Sequence, residues 1–211
     1  MKLIRTLLPF LTIAGLFLLT GLILVLITEK EKLHLSVNGV TGGPYDQFFA
    51  WYTYIGDGLV VPVIVLLVSL AYPKKFVPHL VLGLTTFAIS GLLAQFFKRV
   101  VFSDYFRPSV VLEGKLHLID GVNMHGGFSF PSGHSTVSFG LFIFIAYVFR
   151  KYRSIQGFCA ILAILAAYSR VHISQHFIED IIAGAFLGIL TFFLMHWILG
   201  KFIFKEKLVV Q

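Results

Sequence analysis

Apolar residues gather along this chain in long blocks separated by polar connections. Six blocks stand out, at about Leu7–Ile27, Leu59–Tyr72, Val77–Phe97, Ser135–Phe149, Ile155–Tyr168 and Ile178–Leu199. A helix needs about 20 mostly apolar residues to cross a bilayer. The blocks therefore predict an all-α fold, a bundle of six transmembrane helices. The second, fourth and fifth are short as bare runs. Flanking small or aromatic residues extend them, Trp51–Gly58 before the second and Pro131–His134 before the fourth. The long polar connections cover roughly 28–57 and 98–131. Within the first, Tyr45–Tyr54 reads Y-D-Q-F-F-A-W-Y-T-Y. Such aromatics favour the membrane interface, as an interfacial helix or as a belt at the start of the second span. No repeat of fixed period and no low-complexity tract interrupts the pattern.

Composition agrees with this reading. Apolar residues make up 57% and charged residues 13% of 211, with a mean hydropathy of +0.89. Soluble domains carry about 25% charged residues. The length suits one membrane domain, 1–211, and not two. Cys159 is the only cysteine and lies in an apolar run, so no intrachain disulfide can form. Lys2 and Arg5 precede the first block as in a signal peptide. The block is too long for a signal core and lacks a small-x-small cleavage site, so it is expected to be retained.

Charge gives the orientation. Place the N-terminus, the 73–76 turn, the 150–154 turn and the C-terminus on one side. That side then holds Lys2, Arg5, Lys74, Lys75, Arg150, Lys151, Arg153, Lys201, Lys205 and Lys207 against Glu206 alone. The other side holds seven basic and nine acidic residues. Basic residues favour the cytoplasm, so both termini are expected there. The formal charge of +7 is thus an orientation signal; no nucleic-acid motif accompanies it. Five of the seven outer basic residues fall between 98 and 170, a positive rim suited to an anionic lipid head group.

Candidate chemistry sits on that rim. Ser169, Arg170, His176 and Asp180 form S-R-x5-H-x3-D, and Pro131-Ser132-Gly133-His134 stands upstream. Arg107-Pro108 follows the basic pair Lys98-Arg99. These are the parts of a phosphoryl-transfer site that needs no metal. Cations and small-residue amides can hold a phosphate. One histidine can attack it, a carboxylate can orient that histidine, and a second can protonate the leaving group. On a helix, His176 and Asp180 would stack four apart on one face. Proline and serine at 131–132 suit a helix start, whose free amides bind phosphate, and Gly133 permits close approach. Taken alone, P-S-G-H is also a plain N-cap, and Arg170 a plain interfacial anchor.

The remaining polar residues have plainer readings. Glu179 is expected to be solvated or to contact a loop. His117, His125 and Asn123 line a substrate mouth or cap loop backbone. His34, His79 and His196 read as interfacial or lipid-edge residues. His172, four before His176, completes H-x3-H-x3-D and invites a zinc reading. The cationic surroundings of Arg170 disfavour a divalent ion there.

Assembled, these residues resemble the type-2 phosphatidic acid phosphatase superfamily, which includes bacterial acid phosphatases and vanadium haloperoxidases. The family carries a lysine followed by R-P, then P-S-G-H, then S-R-x5-H-x3-D. The second and third motifs match at 131–134 and 169–180. The first departs, because the family places six residues between lysine and R-P. Here eight separate Lys98 from Arg107, seven separate Arg99, and Val100 holds the expected lysine position. Lys98 is the favoured cation and Arg99 the alternative. The similarity runs over about 83–197. The resemblance implies His176 as nucleophile through a phosphohistidine, Asp180 as its orienter, and His134 as acid and then base. It implies phosphate binding by Lys98, Arg107, Ser132, Gly133 and Arg170, with Ser169 and His125 as further candidates.

The implied activity is hydrolysis of a lipid phosphate monoester or pyrophosphate without metal or cofactor. Lipid A, undecaprenyl pyrophosphate, phosphatidate and phosphatidylglycerol phosphate are its substrate class. The implied place is a bacterial inner membrane with the site on the periplasmic side. The partners are the lipid substrate and the bilayer, and no feature points to an obligate protein partner. Rival readings are a metal-dependent hydrolase on His172, His176 and Asp180, a protein that binds or transports lipid phosphate without chemistry, and, remotely, a haloperoxidase.

Overall fold

A computed structural model describes residues 2–39 and 42–204. Lys205, Glu206 and Lys207, counted in the charge balance above, lie outside the described residues. The described chain is helical, without strands. A short α1 (Lys2–Thr6) leads into α2 (Leu8–Ile27). The first polar connection folds into α3 (Lys30–Asn38) and α4 (Pro44–Tyr52). Pro44 starts α4, where its fixed φ and missing N–H cost nothing. A 3-10 turn, Thr53–Gly56, and a bend of 68° carry the chain into α5 (Val60–Leu70). Then follow α6 (Phe76–Phe96), a π-helical turn at Phe97–Val101, and the short α7 (Pro108–Val111). Three helices complete the bundle: α8 (Gly133–Val148), α9 (Arg153–His172) and α10 (Ile178–Ile198).

Four stretches are long and apolar enough to cross a bilayer: Leu8–Ile27, Pro73–Val101, Arg153–His172 and Ile178–Ile203. The bent pair of α4 with its 3-10 turn and α5 makes a fifth if taken as one span. Of the six expected spans, four or five meet that length and composition among the described residues. The fourth block departs because α8 has only 16 residues. At about 1.5 Å per residue it is shorter than the roughly 30 Å hydrocarbon layer. It is buried along almost its whole length, wrapped by α5, α6, α9 and α10.

The α8–α10 contact places the candidate site. Gly184 and Gly188 on α10 face the start of α8, a small-xxx-small arrangement that lets backbones approach closely. A Cβ on Gly184 would meet the Ser132 carbonyl and, at 3.0 Å, Ser135 Cβ. A Cβ on Gly188 would strike the Thr136 carbonyl and come within 3.0 Å of the Gly140 N. This approach also permits the Ser132 N–H to donate to the Asp180 carbonyl at 2.9 Å. The two main sequence motifs are therefore locked together through backbone.

Two expectations need correction. His34 and His79 are not lipid-edge residues; both are buried. His79 packs edge-on to Tyr72 and Tyr147, and His196 lies against Tyr147 and Phe192. The His79 and His196 rings pack among aromatic side chains, which a lone histidine in an apolar run does not announce. Cys159 is buried.

The glycine packing gives a direct stability prediction. Gly184→Ala and Gly188→Ala should each lower the unfolding midpoint in detergent, by overpacking worth about 1–3 kcal/mol. Gly91→Ala has open space around its Cβ and should be neutral or slightly stabilising by helix propensity. Equal effects at all three positions would refute the close-approach account.

Candidate active site

Asp180 is the third residue of α10, and its carboxylate turns back over the helix start. Oδ2 accepts from the Phe177 N–H at 3.0 Å, which satisfies one orphan donor of the first turn. The same oxygen lies 3.2 Å from His176 Nδ1 and accepts from Ser129 Oγ at 2.5 Å. A carboxylate only accepts, so Nδ1 carries the proton and Nε2 is left with its lone pair. Both side chains are almost wholly inaccessible, at 1% for His176 and 0% for Asp180.

The His176–Asp180 pairing is not helix stacking. His176 lies in the turn between α9 and α10, just before Phe177. That turn is closed by the Gln175 and His176 N–H groups, which both donate to the Arg170 carbonyl. Ser174 takes φ 53° there. The sequence spacing found the right partners by the wrong geometry.

Three cations approach this pair. Lys98 occupies the π-helical turn and is buried, with Nζ 4.0 Å from where a Gly133 Cβ would stand. It makes no hydrogen bond or ion pair among the described residues. Arg99, its alternative, is exposed and donates to Gln95 on its own helix at 3.2 Å. Arg107 is held by the Gly127 carbonyl and by Gln175 Oε1, at 3.0 and 2.7 Å. Arg170 donates one guanidinium nitrogen to Thr53 Oγ1 at 2.7 Å, while its buried Nε has no partner among the described residues. Burial, then Lys98, Arg107 and Arg170, hold the His176 imidazole well below its ordinary value of 6.5. It is therefore neutral at pH 7.

The helix start at P-S-G-H forms as expected. Ser132 is the N-cap of α8, and its Oγ accepts from the Ser135 N–H and Oγ. The cap thus uses the lone pairs of its hydroxyl and not its O–H. Ser169 donates back to the Ala166 carbonyl within α9. His134, in the first turn, is part-buried beside Gly56, where a Cβ would come within 3.2 Å of its ring.

A family profile described as the PAP2 superfamily matches residues 79–204. The chain belongs to the PAP2 superfamily. It is 27% identical to a lipid A 4'-phosphatase of Bacteroides thetaiotaomicron, over 81% of this chain and 76% of the relative. It is 32% identical to a lipid A 4'-phosphatase of Porphyromonas gingivalis, over 86% of this chain and 75% of the relative. The fold resembles the crystal structure of a transmembrane PAP2-type phosphatidylglycerolphosphate phosphatase from Bacillus subtilis. That match has a TM-score of 0.65 and 24% identity, covering 95% of this chain and 97% of that one.

Around the PAP2 motifs stand residues that the sequence did not single out. Ser129, fully buried, bonds Asp180, and its Oγ is 3.4 Å from His176 Nδ1. Thr53 and Gln175 steady the two arginines. Asp46 on α4 bridges His172 and His117 at 2.9 and 3.0 Å. His172 therefore faces Asp46 and does not share a site with His176. Among the described residues, no three His, Cys, Asp or Glu side chains are placed to hold a metal. His34 Nε2 and Asn38 Nδ2 both reach Ser174 Oγ at 3.1 Å. Glu179, expected to be solvated or to contact a loop, instead pairs with Lys30 at the start of α3 at 2.5 Å.

Two cavities open beside the cations. The larger, about 410 Å³, is lined by Trp51, Tyr54 and Asp120 among others, and reaches His134 and Arg170. The smaller, about 320 Å³, is lined by Lys98, Arg99, Arg107, Phe128 and loop backbone. His125 borders both; His176 borders neither.

The burial difference between the first-motif cations yields a prediction. Lys98→Ala should weaken vanadate binding to the detergent-solubilised protein by about 10- to 100-fold, the loss of one charge-assisted contact of roughly 1.5–3 kcal/mol. Arg99→Ala should leave binding within about threefold, as for an exposed charge. Calorimetric titration measures both, and the reverse pattern would give the role to Arg99.

Proposed function

We propose that this PAP2 protein hydrolyses a phosphate monoester or pyrophosphate on a membrane lipid, by way of a phosphohistidine on His176. The observation that carries the reading is the gathering of Lys98, Arg107 and Arg170 around His176, which Asp180 holds by Nδ1. Three cations against one inward carboxylate leave a buried positive excess, and a phosphate dianion is the charge that balances it.

The steps follow from the atoms. His176 Nε2 attacks phosphorus in line as the bond to the lipid oxygen breaks, and the cations and the Gly133 amide take up charge on the equatorial oxygens. His134 donates a proton to the departing oxygen. Water then attacks the phosphohistidine, giving its proton to His134. Inorganic phosphate leaves and both histidines return to their starting forms. Asp180 stabilises the charged imidazole ring throughout without taking its proton.

The relatives' names favour lipid A as substrate; undecaprenyl pyrophosphate, phosphatidate and phosphatidylglycerol phosphate share the same reacting group. The chain would work as one membrane domain of six crossings, α8 included, with both termini cytoplasmic. The site would then open toward the periplasmic leaflet of a bacterial inner membrane.

The test is phosphate release from a panel of these four lipids, in detergent with chelator present. The wild type should turn over at least one, and His176→Ala none. His134→Ala should be slowed most on substrates with poor leaving groups. Activity lost to chelator and restored by a divalent ion, or retained in His176→Ala, would overturn the proposal.

A further inference from the structure

Asp180 receives three donors on one oxygen, and the third is explained neither by the helix nor by the nucleophile. Oδ2 accepts the Phe177 N–H, the His176 Nδ1–H and the Ser129 hydroxyl. The first caps α10 and the second holds the imidazole. Ser129 does neither, yet it is wholly buried and makes the shortest of the three contacts, at 2.5 Å.

A hydroxyl has one proton to give. The Ser129 proton goes to Oδ2, because His176 Nδ1 already carries one and stands farther off, at 3.4 Å. The lone pairs of Oγ then face the Nδ1–H. One side chain thus steadies both the carboxylate and the ring.

The backbone is bent to bring it there. The Ser129 N–H donates to the Tyr105 carbonyl at 2.9 Å, and Phe130 packs against Phe102 and Tyr105. Phe128, just before Ser129, takes φ 55°, a left-handed conformation that bulky side chains rarely adopt. The other non-glycine residue with positive φ among the described residues is Ser174, two before His176. Strained backbone therefore adjoins both Ser129 and the nucleophile.

The chemistry gives the contact a task. A hydrogen bond donated to a carboxylate favours its charged form. A protonated Asp180 would donate to Nδ1 of the other ring tautomer, which carries its proton on Nε2. No lone pair would then face phosphorus. After attack, loss of the Nδ1 proton to Asp180 would leave a neutral phosphoimidazole, which releases its phosphoryl group less readily than the imidazolium.

On the phosphohistidine reading, which this inference rests on, we propose that Ser129 is a positioning residue. Its hydroxyl keeps Asp180 charged and aimed at Nδ1, so that His176 holds its proton there through attack and hydrolysis.

The test follows phosphate release across pH, in detergent, from whichever lipid of the four-lipid panel the wild type turns over fastest. Ser129→Ala should lower kcat by about 10- to 100-fold, the loss of one charge-assisted hydrogen bond, with KM and vanadate inhibition within about threefold. The acid limb of its kcat/KM profile should move up by about one to two pH units, since a carboxylate that has lost a donor is protonated at higher pH. Ser129→Thr, which returns the hydroxyl, should bring the limb back. The other charged and titratable groups around Asp180 are Lys30 and His34 on α3, Lys98, Arg107 and His176. All are kept in both variants and the substrate is the same, so the difference reports Ser129. Should Ser129→Ala fail to fold, Ser129→Cys, close in size and only a weak donor, carries the same expectation. An acid limb that stays in place would overturn the proposal whatever happens to kcat. So would a wild-type kcat in Ser129→Ala, or a limb in Ser129→Thr that stays with that of Ser129→Ala. No release by the wild type, or release by His176→Ala, would instead overturn the phosphohistidine reading, and this inference with it.

Discussion

One buried carboxylate among three buried cations is the constraint on which this site depends. Asp180 is inaccessible to solvent and holds three donors on a single oxygen. Lys98, Arg107 and Arg170 all lie within reach of one another's charge. Burying one ion costs several kcal/mol unless it is paired, and one carboxylate cannot pair three. The fold accepts that imbalance by fixing each cation separately. Gln175 and a loop carbonyl hold Arg107, Thr53 holds Arg170, and a widened helical turn buries Lys98. An arrangement so costly without an anion is preorganised for one.

The helices next to the site keep that arrangement from relaxing. α10 and α8 meet through glycine, so the P-S-G-H turn and the start of α10 share a backbone hydrogen bond. A second brace comes from the connection between the first two apolar blocks. α3 reaches the His176 turn through His34 and Asn38 on Ser174, and the start of α10 through Lys30 on Glu179. α4 reaches the end of α9 through Asp46 on His172. The turn that carries His176 is thus held from both sides, although it belongs to no helix.

Much of this was legible in the sequence because its motifs are local. The N-cap at Ser132 and the partnership of His176 with Asp180 follow from short-range chemistry, while a helix at 45–54 was one of two readings the aromatic stretch left open. Other features were not local and stayed hidden. Ser129 is 51 residues from Asp180, Thr53 is 117 from Arg170, and Gln175 is 68 from Arg107. Spacing can suggest that a side chain is free to act, but not which distant residue steadies it. The sequence favoured Lys98 over Arg99, but that Lys98 is buried and Arg99 exposed is visible only in three dimensions. Hydropathy likewise gave no sign that the apolar surface of α8 faces protein on nearly every side. His34 and His79 were misread for the same reason: burial within the bundle leaves no mark on an isolated histidine.

The central claim is that His176, neutral and oriented by Asp180, takes the phosphoryl group from the lipid. The direct measurement is rapid acid-free quench during turnover, followed by peptide mass spectrometry of the trapped protein. The account predicts one acid-labile phosphoryl group, on the peptide carrying His176, formed and lost at rates compatible with kcat. Turnover with no phosphorylated peptide under conditions that preserve phosphohistidine, or with the label on His134, would contradict it.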